Sequence, residues 1–466
     1  MHLISTIALS ATLLAQLGSS LPVGSSWNST ANATQTLDQD DNAVNSTAAN
    51  STMLAAEGAN NITGGKLPLE LINHLPSDNI YAYVTGQDAS GQLILLDSNN
   101  EWFYPKAEGG EGEKTPLPDH VKHKLGPQFS TTKFTLPHYI YSSRIWFGDG
   151  GLDMFVVKTP DGQGLAEPSA LNRMDPNNVT NWGFVELTNS KDWGLYANLS
   201  FVDFVGMALG IKLRRSGNDT QEAKGVPTAG KYKICDDLKA QAAKDGQPWG
   251  ELCVYDDKGD LMRVVSPAGF LSTNLTAFEN YWYPYTNETA DRYESDVLTI
   301  DTQSPAGKVD CRWQASTNAS ANGNMELVCD GDTRPFPPPT SEDVFGCNTG
   351  PFAIQEGDSD VHKAIVPRLC AAYNRGTLLI NGGDVQPGVD PAQYYPASSS
   401  SLNWYSKITH DVQIDHRGYA FSYDDVTIDP KHDAAGVVTG TNPELLTIVV
   451  GGYEDKAAAI LQSALY

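Results

Sequence analysis

The stretch DPNNVTNWGFVELTNSKDWGLYANLSFVDFVGMALGIKL runs from Asp175 to Leu213 and contains the residues on which the reading turns. Its centre, Phe184-Val185-Glu186-Leu187-Thr188, has the apolar and β-branched character of a strand. Successive side chains of a strand point to opposite faces, so Phe184, Glu186 and Thr188 share one face. Leu199–Leu213 reads as a second strand, with Asp203 on the parity of Phe201, Val205 and Met207. A carboxyl among apolar neighbours is costly unless it is paired or protonated, so Asp203 is a candidate for a raised pKa.

If the two runs are antiparallel neighbours, the turn between them brings both carboxyls to one surface. Directly opposite residues have Cβ atoms about 4.5–5.5 Å apart, and diagonal ones about 7–8 Å. Both separations serve two-carboxylate sugar cleavage, so the pattern leaves the geometry open. In such chemistry one acid protonates the leaving oxygen while a carboxylate attacks or activates water. Trp182, Trp193 and Tyr196 supply flat faces of the kind that pack on pyranose rings. The plain alternative is that Glu186 bonds a neighbouring Arg or hydroxyl and Asp203 caps a turn.

Outward from this stretch the grammar is mostly β. Ile80–Val84, Gln92–Leu96, Tyr139–Phe147, Leu152–Val157, Tyr419–Val426 and Leu445–Val450 read as strands separated by Gly, Asn and Asp. Gly148-Asp149-Gly150-Gly151 marks a hairpin between two of them. Val361–Leu379 has the best helical spacing, with Ile365, Leu369, Ala372 and Tyr373 on one face and Pro367 near its start. A short helix is expected from Lys456. The expected organisation is a leader at 1–20, a Ser/Thr/Asn-rich linker at 21–66, and a body from 67 to 466. In that body a β-barrel or sandwich domain (about 67–215 and 400–466) holds a mixed α/β insertion (about 216–399).

The chain has 31 Lys+Arg against 56 Asp+Glu, a net charge of −25, which argues against nucleic acid and against docking on an anionic membrane. Leu3–Leu17 is an apolar run too short to span a bilayer and reads as a secretory leader. Acceptor sequons stand at Asn28, Asn32, Asn45, Asn50, Asn61, Asn178, Asn198, Asn218, Asn274, Asn287 and Asn318, consistent with a secreted or wall-associated glycoprotein. The six cysteines contain no CxxC pair, and in an oxidising compartment they are expected to form disulfides. Nearest-neighbour pairing, closing three local loops, is the expectation.

Other motifs have bland readings. Gly225–Lys231 resembles the start of a phosphate loop, but Tyr232 stands where Ser or Thr is needed and Pro227 interrupts it; a surface turn is expected. His120 and His123 have metal-ligand spacing without an obvious third ligand, so no metal is expected. Tyr281-Trp282-Tyr283-Pro284-Tyr285 offers either a sugar platform or interdomain packing, with packing favoured.

Several separated segments resemble one known family. They are Ser143-Arg144-Ile145-Trp146-Phe147, Pro168-Ser169 with Asn172, Asp175-Pro176-Asn177, the Glu186–Asp203 block, and Gly418-Tyr419-Ala420-Phe421 through Tyr423-Asp424-Asp425-Val426. Together they resemble glycoside hydrolase family 64, the endo-β-1,3-glucanases related to thaumatin-like proteins. Cys347-Asn348-Thr349-Gly350-Pro351-Phe352 and the helix with Cys370 and Asn374 resemble its fungal members. The resemblance implies a mainly β, thaumatin-like barrel or sandwich joined to a mixed domain across a wide cleft. It implies a monomer that cleaves β-1,3-glucan with inversion, releases short laminari-oligosaccharides and uses no cofactor. Glu186 matches the proton donor and Asp203 the general base, and inversion implies carboxyls about 6.5–9.5 Å apart. Thr188, Asn189, Tyr196 and Ser200 match sugar-holding positions, and Asp424 and Asp425 resemble an acidic pair that either lines the groove or stabilises a turn. Where this chain has Tyr196 and Ser200-Phe201, bacterial members of the family tend to have Trp and Thr-Gln, which leaves the subsite preferences open and the two acids unaffected. The alternative reading is a glucan-binding thaumatin-like wall protein without hydrolysis.

Overall fold

The computed structural model describes residues 64–160, 162–316, 325–428 and 433–454. The leader, nearly all of the linker with its sequon cluster, Asn318 and the helix expected from Lys456 lie outside the described residues.

Seven strands carry the β body: β1 (Leu67–Asn73), β2 (Ile80–Gln87), β3 (Ile140–Asp149), β4 (Trp182–Ser190), β5 (Gly194–Leu199), β6 (Leu209–Arg215) and β7 (Pro443–Val450). A five-stranded sheet has the order Thr220–Ala223, β6, β7, β1, Thr131–Leu136. The larger sheet runs Val438–Gly440, β5, β4, β3, β2, Leu93–Leu96, Trp102–Phe103, with His123–Lys124 also paired to β2. The alternation read in the sequence is what buries them. In β1, Leu67, Leu69 and Leu71 point inward while Pro68 is exposed. Val185 and Leu187 of β4 and Ile211 and Leu213 of β6 enter the same hydrophobic core. The two sheets therefore pack on one another. Both keep distinct edge strands, so among the described residues this is an open sandwich and not the closed barrel that was one of the two expectations.

The mixed region contributes helices α1 (Gly230–Asp245), α2 (Pro267–Thr273), α3 (Tyr283–Ser295), α4 (Ser341–Gly346), α5 (Asp360–Arg375) and α6 (Trp404–Val412). Helix α5 is the one expected from spacing. Ser359 caps it by accepting from the His362 amide, it runs through Pro367, and Gly376 ends it in the left-handed conformation. The cysteines pair as nearest neighbours, Cys235–Cys253, Cys311–Cys329 and Cys347–Cys370. Tyr281, Trp282 and Tyr285 are buried, packed in a cluster with Trp249, Phe278 and Phe345, so the aromatic run is packing, with Tyr283 and Pro284 exposed.

Three local expectations fail for long-range reasons. Leu199–Leu213 is not one strand. It leaves the large sheet after β5, makes a two-residue strand at Phe204–Val205 against Leu261–Val265, and re-enters the other sheet as β6. Gly206 permits this crossing, because a Cβ there would lie 2.3 Å from the Trp182 carbonyl. The hairpin at Gly148–Gly151 does not form. Leu152 donates its amide to the Tyr83 hydroxyl, and Phe155–Thr159 pairs instead with Gly162–Ala166 and Lys114–Pro116. Tyr419–Val426 is a series of turns, held by the Asp424 carboxylate accepting from the Ala420 amide.

Candidate active site

β4 is flanked by β3 and β5, and the register fixes the neighbours of Glu186: Arg144 on one side and Asn198 on the other. Arg144 donates to Glu186 Oε1 from Nε at 3.4 Å and from Nη2 at 3.2 Å. Asn198 donates its side-chain amide to Oε2 at 3.2 Å. From Nη1, Arg144 also donates to Glu167 Oε2 at 2.8 Å. The guanidinium lies between the Phe184 ring (4.4 Å) and the Trp146 ring (5.3 Å), which hold its plane in place.

Arg144, Glu167 and Asp203 line a cavity of about 290 Å³. Trp182, Phe184 and Trp146 form its β wall, α2 gives Gly269 and Ser272, and Glu342, Asn348, Thr349 and Ser422 close the far side. The cleft thus lies between the β body and the mixed region, with residues from the Cys347–Phe352 and Gly418–Val426 segments facing the acids. Glu186 is the deepest of the three carboxyls, with a side chain 3% exposed against 16% for Glu167.

Burial dominates the electrostatics. It pushes Glu186 up to about 7; Arg144 and the Asn198 amide pull the value back, and Asp203 adds to the rise. Asp203 is raised by burial against the opposing pull of Arg144. Glu167 is raised by burial too, with Arg144 opposing. One guanidinium thus opposes the effect of burial on three carboxyls, and Glu186, at about 7, is the group placed to carry a proton close to neutral pH. Such a group can protonate a leaving oxygen while a neighbouring carboxylate takes a proton from water.

The other predicted residues divide. On the Glu186 face of β4, Thr188 lies one pair further along, opposite Tyr196. Tyr196 shares a 2.8 Å hydroxyl–hydroxyl bond with Tyr419, and Ser200 bridges to Tyr419. Thr188, Tyr196 and Ser200 therefore sit beside the acids, along a face that continues out of the cavity. Asn189 falls on the other parity and is buried. Its amide donates to the Gly65 carbonyl at 2.8 Å, so the structure places it against the start of the body and not beside the acids. Asp424 is 1% exposed and already engaged: Arg375 donates to Oδ1 at 3.0 Å and His410 meets Oδ2 at 2.6 Å. Of the two roles held open for it, the contacts are those of the turn. Asp425 is half-buried and, after burial, is the main influence raising the Tyr196 and Tyr419 hydroxyls.

Arg144 appeared in the sequence only within a resembling segment, and Glu167 not at all, although it directly precedes Pro168-Ser169. Among the described residues no group of three or more His, Cys, Asp or Glu side chains is arranged to hold a metal ion. His123 is buried against the Leu96 carbonyl and His120 packs on Phe103. In the former phosphate-loop candidate, Lys231 bonds Asn181 and the Met262 carbonyl.

Carboxyls gathered on the wall of a cleft are the arrangement that two-carboxylate glycoside hydrolysis requires. The profile of glycoside hydrolase family 64, described as β-1,3-glucanase, matches residues 65–450, and the chain belongs to that family. It is 25% identical over 366 residues to a glucan endo-1,3-β-glucosidase of Cellulosimicrobium cellulans, covering 77% of this chain and 61% of that protein. It is 24% identical over 400 residues to a protein of the same name from Arthrobacter sp. (strain YCWD3), covering 84% and 66%. The chain thus spans just under two thirds of the length of these curated relatives. The fold is similar to that of a laminaripentaose-producing β-1,3-glucanase in complex with laminaritetraose, with a TM-score of 0.68, 24% identity, and 83% and 98% of the two chains covered. It also resembles a family 64 β-1,3-glucanase domain from Clostridium beijerinckii, with a TM-score of 0.60, 22% identity and the same coverage.

Proposed function

We propose that this protein is a secreted endo-β-1,3-glucanase that acts as a monomer, cleaves β-1,3-glucan with inversion and releases short laminari-oligosaccharides. The observation that carries the reading is the Glu186–Arg144–Asp203 cluster on the cleft of a family 64 chain. In this reading Glu186 holds a proton near neutral pH and delivers it to the glycosidic oxygen as the anomeric C–O bond breaks. Asp203 takes a proton from a water molecule, which attacks the anomeric carbon from the opposite face of the ring. Trp182, Phe184 and Trp146 supply the apolar wall for a sugar ring, and Thr188, Tyr196 and Ser200 extend the binding face, with Asp425 behind the tyrosines. The chemistry requires no metal or organic cofactor. Secretion follows from the Leu3–Leu17 leader and the sequons, and the thaumatin-like, fungal-type relation rests on the segments quoted from the sequence.

The test is proton NMR of the first product formed from linear β-1,3-glucan. Inversion gives the α-anomer first, before mutarotation. A β-anomer would contradict the single-displacement assignment of Glu186 as acid and Asp203 as base. A folded protein that binds the glucan and releases nothing would replace the enzyme by a binding protein.

A further inference from the structure

We propose that Glu167 is a positioning residue that occupies the charge of Arg144 and so leaves the catalytic proton on Glu186. The inference rests on the reading of Glu186 as proton donor and adds a third acid to the two the sequence supplied.

The geometry carries it. Among the described residues Arg144 is the single guanidinium on the wall of this cavity, and it touches two carboxyls at once. The Glu167 contact is the shorter, 2.8 Å against 3.2 Å. Glu167 is also the more exposed of the two, so ionising it costs less desolvation. The aromatic faces of Phe184 and Trp146 keep the guanidinium from swinging wholly toward either acid. With Glu167 ionised, Arg144 has a partner, and Glu186 can stay protonated without leaving a buried cation unbalanced. With Glu167 neutral, the whole field of Arg144 falls on Glu186 and Asp203. An opposite charge at this range lowers a carboxyl pKa.

Other groups bear on the same cluster. Asp203 raises Glu186 and Glu167, Glu342 faces the cavity from α4, the Tyr405 hydroxyl lies near Asp203, and the Tyr196 hydroxyl lies near Glu186. All are common to the wild type and a Glu167→Gln variant, so a difference between the two isolates Glu167.

The experiment is the pH profile of kcat/KM on linear β-1,3-glucan for wild type, E167Q and E167D. The expected result is an alkaline midpoint lower by about one pH unit in E167Q, and so a roughly tenfold loss above it that fades toward acid pH. E167D, which keeps the charge, should return the midpoint toward the wild-type value. An unmoved midpoint, whatever the rate, overturns the proposal. A wild type without activity would instead overturn the proposed function, so the two failures are distinct. A carbon-13 carboxyl titration of the labelled wild type, assigned with E186Q, needs neither activity nor a folded E167Q. It should show Glu167 ionising at lower pH than Glu186, and the reverse order overturns the proposal.

Discussion

Asn198 stands directly across the β4–β5 pair from Glu186 and donates its side-chain amide to the Glu186 carboxyl at 3.2 Å. Asn198 also heads the sequon Asn198-Leu199-Ser200, yet it is 2% exposed and its amide nitrogen is committed to the acid. Peptide mass mapping of protein made in a glycosylating host should find Asn198 unmodified. A glycan there would remove the donor and crowd the face that carries Glu186, and would contradict the site.

The same bond tunes the acid. Hydrogen bonding to the ionised form lowers the Glu186 pKa, so Asn198→Ala should move the alkaline limb of the rate profile to higher pH. The shift is opposite in sign to that expected for Glu167→Gln. A limb that stays put would mean that Asn198 does not touch the titrating acid.

Glu186 also links pH to stability. Its folded value of about 7 lies above the ordinary glutamate value of 4.5, so the folded state keeps the proton longer. The contribution is fully present below about 4.5 and is lost as pH rises through about 7, on the order of 3 kcal/mol. Between those pH values the melting temperature of the wild type should fall relative to Glu186→Gln. Parallel curves for the two proteins would contradict the raised pKa.

Asp424 works in the opposite sense. Burial would raise its pKa, but His410 and Arg375 outweigh burial and hold the carboxyl below its usual value. Asp424→Asn leaves Arg375 and His410 buried without their counter-ion and should cost about 3–5 kcal/mol in denaturant unfolding. A variant of unchanged stability with a raised KM would return Asp424 to the sugar-binding role that its position in the sequence had suggested.

What the sequence disclosed and what it withheld follow from the range of the forces. The face shared by Phe184, Glu186 and Thr188 was legible because strand alternation is local. The three disulfides were legible because each closes a short loop. Asp203 was legible as an acid among apolar neighbours, but its path was not, since the crossing at Gly206 depends on the Trp182 carbonyl. Arg144 reaches Glu186 across the strand pair from 42 residues away, Glu167 reaches Arg144 from a loop, and nothing in the local pattern marks those meetings. The choice for Asp424 between the groove and a turn stayed open in the sequence because its partners sit on α5 and α6.

The Cys347–Cys370 bridge ties the segment carrying Asn348 and Thr349 to α5, opposite the acids. Replacing both cysteines by Ala should lower stability by about 2–4 kcal/mol. It should also raise KM for glucan more than it lowers kcat, because the far wall of the cleft loosens while the acids stay in place. Steady-state kinetics above and below KM would separate the two, and an unchanged KM would contradict a role for that wall in binding.

The central claim is that Glu186 supplies the proton, and reducing-end release from linear β-1,3-glucan by wild type and by Glu186→Gln tests it most directly. The account predicts short oligosaccharides from the wild type and a rate lower by about 10²–10⁴ from the variant, with both proteins folded. Equal rates from the two would contradict it and take Glu186 out of the mechanism.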